Sequence, residues 1–369
     1  MDMVNLENFD NKIVNSLLGD SRFQDLLNYV GGDTRIVYTD PQIYYAKATA
    51  FIGLNKNDQA FEVLLRLKIA QPTETQQIDE FILSFNLNDH NYGKGLDVTT
   101  EEVNSLLKSF LKVWESAQHL TQNDYGGMSI VDRFYIWYTI KKLRPKLIVE
   151  SGVWRGIGTY FIENAAPEAK IISLDINLNF RHYVSEKVEY VQSDFYHIDW
   201  SIYAGIENSL VIFDDHQDCV RRLQEAHFFG FNRFVFQDNY ADIVGHRADA
   251  LSIKQAFSCY QFNFYENVKF PEPQGVEYSM NFYVNKMIQR YLNTPVSIGI
   301  RNGLKRLIKT YYEYPPIVPL PTFSEYYNSI YNKIGYVKQP LFTRDEVLGN
   351  KYLEQFYIQH YNFICFVEI

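Results

Sequence analysis

LIVESGVWRGIGTYF, residues 147–161, sets a short apolar run against a glycine-rich turn and a segment of helical spacing. The run ends on Glu150, and Gly152, Gly156 and Gly158 follow. A strand, a tight turn and a helix N-terminus fit that order. Glycines let the backbone turn sharply and approach a ligand, while the helix start favours a negatively charged group. The spacing is GxxxGxG with an acid two residues ahead of it, whereas the dinucleotide fingerprint is GxGxxG. That difference disfavours a nicotinamide-dependent oxidoreductase.

Four more runs of the same kind follow. KLIVE (146–150), KIISLD (170–175), VEYVQSD (188–194), SLVIFDD (209–215) and RFVFQDN (233–239) alternate with helix-like segments. Each closes on an acid: Glu150, Asp175, Asp194, Asp215 and Asp238. Continuous apolar strands separated by helices imply an α/β fold with a doubly wound, mostly parallel sheet, whose ligands sit beyond the C-terminal strand ends. The five acids are therefore expected at one crevice. After Tyr240 comes a Tyr-, Asn- and Pro-rich stretch that includes EYPPIVPLP (313–321), read as a substrate-side insertion at about 261–350. YNFICFVEI (361–369) alternates well enough to be an edge or antiparallel strand that closes the sheet.

Upstream the pattern is helical. IYYAKATAFIGL and QAFEVLLRLKIA, within 43–85, flank the turn-like Asn55 to Asp58 and form a helical hairpin. Tyr44, Ala48, Phe51, Ala60, Leu64, Leu67 and Pro72 fall at spacings that resemble one tetratricopeptide repeat. An ordinary helical pair and a partner-binding module both fit. NLNDHNYGKGLDVTT (86–100) reads as a linker, and a helix is expected from Thr100, with Glu101 and Glu102 in its first turn, to about His119. The division is a helical N-terminal region, 1–95, and an α/β domain, 96–369.

Composition narrows the function classes. Of 369 residues 46% are hydrophobic and 21% charged, enough apolar material for a sizeable core. The net charge of -9 argues against a nucleic-acid surface, which needs clustered Lys and Arg. Cys219, Cys259 and Cys365 are widely spaced and form no CxxC pair, as expected of thiols in a reducing compartment. MDMVNLENFDNK carries acids where a secretory signal carries bases, and no apolar stretch is long enough to span a membrane. A cytoplasmic protein without a membrane partner is expected, and self-association is left open. The 29 Tyr and 27 Phe are what an AT-rich coding sequence yields without selection for function.

An acid and glycine loop after the first strand, Asp175 closing the second and Asp194 the third resemble the class I S-adenosylmethionine-dependent methyltransferases. The resemblance implies a seven-stranded sheet and S-adenosylmethionine held by Glu150, Gly152, Gly156, Gly158, Asp175 at the ribose hydroxyls and Asp194 at the adenine. The lead-in YGGMSIVDRFYIWYTIKKLRPKLIVESG (125–152) is similar to that of catechol O-methyltransferase-type enzymes. The likeness covers about 120–260 and the last strand.

In catechol-type and macrolide-sugar O-methyltransferases, and in cephalosporin hydroxylase-like proteins, acids after strands four and five bind Mg²⁺. Asp215, Asp238 and Asn239 match that set, with Asp214 as a register alternative. A hard cation wants oxygen ligands and would activate a substrate hydroxyl. The catechol-type lysine base, three positions after the first metal Asp, is replaced here by Asp218. His216 titrates near neutrality and is the candidate base; packing on the adenine and a purely structural place are its other readings. Each acid has a plainer role as well: Asp215 or Asp218 as an N-cap, Asp238-Asn239 as a turn. His246 and Arg247 stand where substrate is expected, with Arg247 as an anion contact or a solvated helix end. The expected function is Mg²⁺-assisted O-methylation of a small-molecule or glycan acceptor, with Asp215 and His216 catalytic. The rival is a catalytically silent protein of the same fold that recruits a partner through its N-terminal helices.

Overall fold

The computed structural model describes residues 10–35, 38, 40–71, 78, 96–121, 127–237, 239, 252–258, 298–319, 340–358 and 364–369. Its N-terminal helices are α1 (Asn11–Gly19), α2 (Phe23–Val30), α3 (Pro41–Gly53) and α4 (Asn57–Ala70). Asp40 caps α3 through the Gln42 amide, and Pro41 opens it where a missing N–H costs nothing. Asn55 takes the left-handed conformation in the turn between α3 and α4, one of the few residue types that does so readily. These helices enclose their own apolar cluster, which includes Leu26, Ala48, Phe51, Ala60 and Leu64. Pro72 and most of the linker lie outside the described residues.

Two helices precede the sheet. α5 (Thr100–Ser116) starts where expected, with Thr99 accepting the Glu102 amide, and stops one turn short of His119. α6 (Ile130–Leu143) opens on a capping box between Ser129 and Asp132. It is buried from Ile130 to Ile140, so it reads as apolar all round rather than amphipathic. Arg144 ends it in the left-handed conformation before Pro145.

The main elements that follow are β1 (Leu147–Ser151), α7 (Ile157–Ala165), β2 (Lys170–Asp175), β3 (Val188–Gln192), β4 (Ser209–Phe213), α8 (Cys219–Phe228), β5 (Arg233–Phe236), α9 (Ile253–Ser258), α10 (Ile298–Leu307), β6 (Thr310–Glu313) and β7 (Cys365–Glu368). They form one seven-stranded sheet in the order β3-β2-β1-β4-β5-β7-β6. The five acid-tipped runs pair in parallel, and β7 runs antiparallel to both neighbours.

Side-chain alternation splits the core between two helical layers. Ile148, Leu210, Ile212, Val235 and Phe366 pack with α5, α6 and α7. Leu147, Val149, Val211, Phe213, Phe234, Phe236 and Val367 pack with α8, α9 and α10. Both faces are covered, which is why the strands read as unbroken apolar runs. No described helix is long and apolar enough to cross a membrane.

The stretch at 261–350 is not wholly an insertion, because α10 and β6 lie within it and β6 forms the edge of the sheet. Of the two places expected for the last strand, edge or antiparallel, β7 takes the second and sits between β5 and β6. Cys219 and Cys365 are buried thiols, while Cys259 lies outside the described residues.

Candidate functional site

The glycine turn lies at the C-terminal ends of β1 and β2, and each glycine answers to a contact. Gly152 has φ +101°, and a Cβ on it would stand 2.2 Å from the Asp214 carbonyl oxygen. Gly156 has φ +79°, caps α7, and would meet the Tyr183 carbonyl at 2.5 Å. At Gly158 the obstacle is Glu150 Oε1, 2.7 Å from the same ideal atom. Asp175 Oδ2 accepts the amides of Val153 at 2.9 Å and Trp154 at 3.0 Å, so the second acid fastens the loop that follows the first.

Glu150 itself is fully buried. Its Oε2 accepts the hydroxyls of Thr159 (2.5 Å) and Ser173 (2.6 Å), and Oε1 has no hydrogen-bond partner. Burial pushes its carboxyl up to about 7, against the pull of those two hydroxyls. A buried acid with an orphan oxygen, beside backbone cleared by glycine, is suited to a ligand that brings positive charge.

This loop, at the C-terminal end of the central strand of a 3-2-1-4-5-7-6 sheet whose seventh strand is reversed, decides the fold. It is the class I methyltransferase fold. No protein-family model matches the sequence, and no curated protein matches it either. Among solved structures, the chain is similar to cofactor-bound Rv0187 from MTB at 16% identity and a TM-score of 0.27; the match covers 36% of this chain and only 65% of that one. It is also similar to the O-methyltransferase TomG from Streptomyces achromogenes in complex with SAM, at 9% identity and TM-score 0.36 over 79% of this chain and 98% of that one. For an O-methyltransferase from Bacillus cereus in complex with SAH the identity is 10% and the TM-score 0.32, over 80% and 99%. The fold assignment rests on strand order and not on these scores.

In a class I methyltransferase fold the ends of β3 and β4 adjoin the cofactor loop, and here a single arginine dominates them. Arg222, on α8, is 3% exposed. Its guanidinium grips Asp194 with both terminal nitrogens (3.0 and 2.6 Å), Asp215 Oδ2 with Nε (2.9 Å) and Glu225 with Nη1 (2.7 Å). Burial disfavours the cation, but the bonds to Asp194 and the charges of Asp215 and Glu225 outweigh it and hold its pKa above the usual arginine range. The fork to Arg222 draws the Asp194 carboxyl down. Burial pushes Asp215 up, with Arg222 pulling the other way.

The residues expected to hold a divalent cation fare as follows. Asp215 Oδ2 also accepts the Ser151 hydroxyl at 2.7 Å, and Oδ1 accepts the Gln217 amide at 3.3 Å. Asn239 is buried, with its amide nitrogen on the Tyr311 hydroxyl (2.8 Å) and its oxygen on the Lys254 amide (3.0 Å). That asparagine belongs to a buried network in which Glu313 binds both Lys254 Nζ (2.6 Å) and the Tyr311 hydroxyl (2.8 Å). Asp238 lies outside the described residues, as do His246 and Arg247. Among the described residues no group of three acids, histidines or cysteines is placed to hold a metal. As arranged, Asp215 and Asn239 fit one poorly: Asp215 Oδ2 is filled by the Arg222 guanidinium and the Ser151 hydroxyl, and the Oδ1 of each residue already takes a backbone amide.

Asp218, in place of the catechol-type lysine, is the N-cap of α8, accepting the Arg221 amide at 2.9 Å. His216 stands half-buried in the β4–α8 turn with φ +54°. Trp154, on the glycine loop, is the other non-glycine residue of this crevice in the left-handed region, at φ +47°. Such conformations cost on the order of 1 kcal/mol or more and tend to gather at functional sites. The structure thus brings Glu150, Gly152, Gly156, Gly158 and Asp175 together as one loop, and joins Asp194 to Asp215. The joining residue, Arg222, is not among the expected site residues. Its signal was a charge on the inward stripe of α8, in step with Cys219, Leu223 and Ala226.

Proposed function

We propose that the chain is an S-adenosylmethionine-dependent methyltransferase that acts on a hydroxyl of a sugar, a glycan or a glycosylated small molecule. The observation that supports this most is Glu150, a buried carboxyl with an unpartnered oxygen beside Gly158. An amino-acid ammonium is the kind of group that would compensate it. Asp175, already fastened to the loop amides, offers carboxylate oxygens to a ribose diol. The preference for a hydroxyl on a sugar comes from the resemblance to catechol-type and macrolide-sugar enzymes.

When bound, the cofactor supplies an electrophilic methyl group on a sulfonium sulfur. With it bound, the chain would hold the acceptor oxygen toward that methyl group, and His216 would take the acceptor proton. We assign His216 that role because it is a titratable group displayed by a strained turn at the end of β4. Asp215 fixes that turn by accepting the Gln217 amide next to it. Magnesium assistance forms no part of this reading, given how Asp215 and Asn239 are engaged.

The test has two stages on the full chain. Adenosylhomocysteine should raise the thermal midpoint and NADH should not; no shift with adenosylhomocysteine overturns the cofactor assignment. Labelled S-adenosylmethionine should then place a base-stable methyl ether on a sugar-bearing acceptor. Label in a base-labile ester or on nitrogen overturns the hydroxyl assignment. Binding without transfer to any acceptor class favours the silent protein instead, whose recruiting surface would be the separately packed N-terminal helices.

A further inference from the structure

Arg222 holds one of the carboxylates that the resemblance gives to a metal, Asp215. Its Nε is 2.9 Å from Asp215 Oδ2, an oxygen that also takes the Ser151 hydroxyl at 2.7 Å. Two donors fill that oxygen, so a hard cation on Asp215 would have to displace them or share Oδ1 with the Gln217 amide at 3.3 Å. The second expected ligand is engaged as well: the Asn239 carbonyl oxygen accepts the Lys254 amide at 3.0 Å. A dication on Asp215 would also stand beside a guanidinium that is 3% exposed and gripped by two further carboxylates, Asp194 and Glu225. Arginine stays protonated under any condition in which the fold survives, so this positive charge is permanent.

We propose that Arg222 is a built-in cation that takes the metal's place on Asp215, so that methyl transfer by this chain needs no divalent ion. The inference rests on the methyltransferase reading above. Arg222 is a positioning residue: it ties the loop after β3, the end of β4 and the first turns of α8 into one charged bracket. The β4–α8 turn that displays His216 is held at both ends, by Asp215 on Arg222 and by Asp218 on the Arg221 amide. Bidentate pairing suits the task, because a planar fork fixes direction as well as charge.

The experiment is a Mn²⁺ titration of the full chain saturated with adenosylhomocysteine, followed by the paramagnetic signal of free Mn²⁺. Wild type should show no stoichiometric site, and Asp215→Asn should titrate identically. In Arg222→Met the three carboxylates lose their counter-ion, so Mn²⁺ should bind at least about tenfold more tightly than in wild type and raise the thermal midpoint. An arginine with a merely structural role would give no such rescue, and its absence in folded Arg222→Met overturns the proposal. So does a stoichiometric wild-type site that Asp215→Asn abolishes. Should Arg222→Met not fold, the comparison of wild type with Asp215→Asn decides alone. Failure to saturate with adenosylhomocysteine is a separate outcome, which strikes the methyltransferase reading and is seen before any metal is added.

Discussion

At the ends of β1 and β2, Glu150 is wholly buried, keeps one oxygen without a partner and is pushed up to about 7. At the ends of β3 and β4, Asp215 is largely shielded and Asp194 partly so, yet they share a guanidinium that a third acid, Glu225, helps to hold. The same residue class, on neighbouring strands of one sheet, meets opposite treatment. Burying an ionised carboxylate without a partner is costly, so one half of the edge carries a penalty and the other supplies its own remedy. An uncompensated acid marks where a ligand must bring charge; a compensated one marks where the chain has already brought it.

The largest effect should come from breaking the compensated side. Arg222→Met removes one cation from three carboxylates, and leaving buried charge unpaired costs about 3–5 kcal/mol. Urea unfolding of the cofactor-free chain at neutral pH reads this directly. A loss under about 1 kcal/mol would mean that the acids do not depend on the arginine, and the contrast would collapse.

On the uncompensated side a deletion of charge should stabilise. Glu150 has a folded-state pKa of about 7 against an ordinary 4.5, so its ionisation costs folding stability that is absent below the ordinary value and fully present above the folded one. Glu150→Gln should therefore stabilise the cofactor-free chain by up to about 3 kcal/mol at pH 8, with the gain fading as pH falls toward 5. Adenosylhomocysteine affinity should move the other way, down at least about tenfold, if the carboxylate meets the ligand's ammonium. A variant stabilised equally at pH 5 and pH 8 would show that the charge is not what is being paid for. The smallest effect is expected at Asp218→Ala, which removes a cap worth about 1 kcal/mol. Turnover should stay near wild type, and a collapse in rate with the fold intact would move the base from His216 to Asp218.

Much of the sheet was legible because strands covered on both faces carry apolar residues at every position, and each of the five ended on an acid that could be counted. Strand β6, TYYE, was not. It is short, its tyrosines carry hydroxyls, and prolines follow at once, so it reads as part of the Pro-rich stretch until Tyr311 and Tyr314 are seen fully buried. The helices α1 and α2 went unread for the like reason that each is brief. At the candidate site, residue type and spacing made the turn after β1 legible, since backbone geometry demands glycine where a Cβ would strike a carbonyl. They did not tell a carboxylate free to bind a metal from one already paired. That distinction depended on Arg222, seven residues beyond Asp215 and in the first turn of α8, where only the inward stripe of the helix betrays a buried charge.

Strand β7 has a consequence for how the molecule is made. Phe236 of β5 pairs with Cys365 of β7, about 130 residues later in the chain, whereas β1, β2 and β4 find their partners within far shorter loops. Contacts of such long range close slowly, so the parallel half of the sheet should assemble first and the reversed strand should slot in last between β5 and β6. Until it does, the open edge of β5, with Phe234, Val235 and Phe236, offers an apolar template to any other chain. Pulse-labelled hydrogen exchange would order these steps, with amides of Leu147–Ser151 protected before those of Cys365–Glu368. The strand that joins β6 to the parallel half is then also the sheet's timekeeper, and slow growth at low temperature is the condition that favours recovery of folded protein.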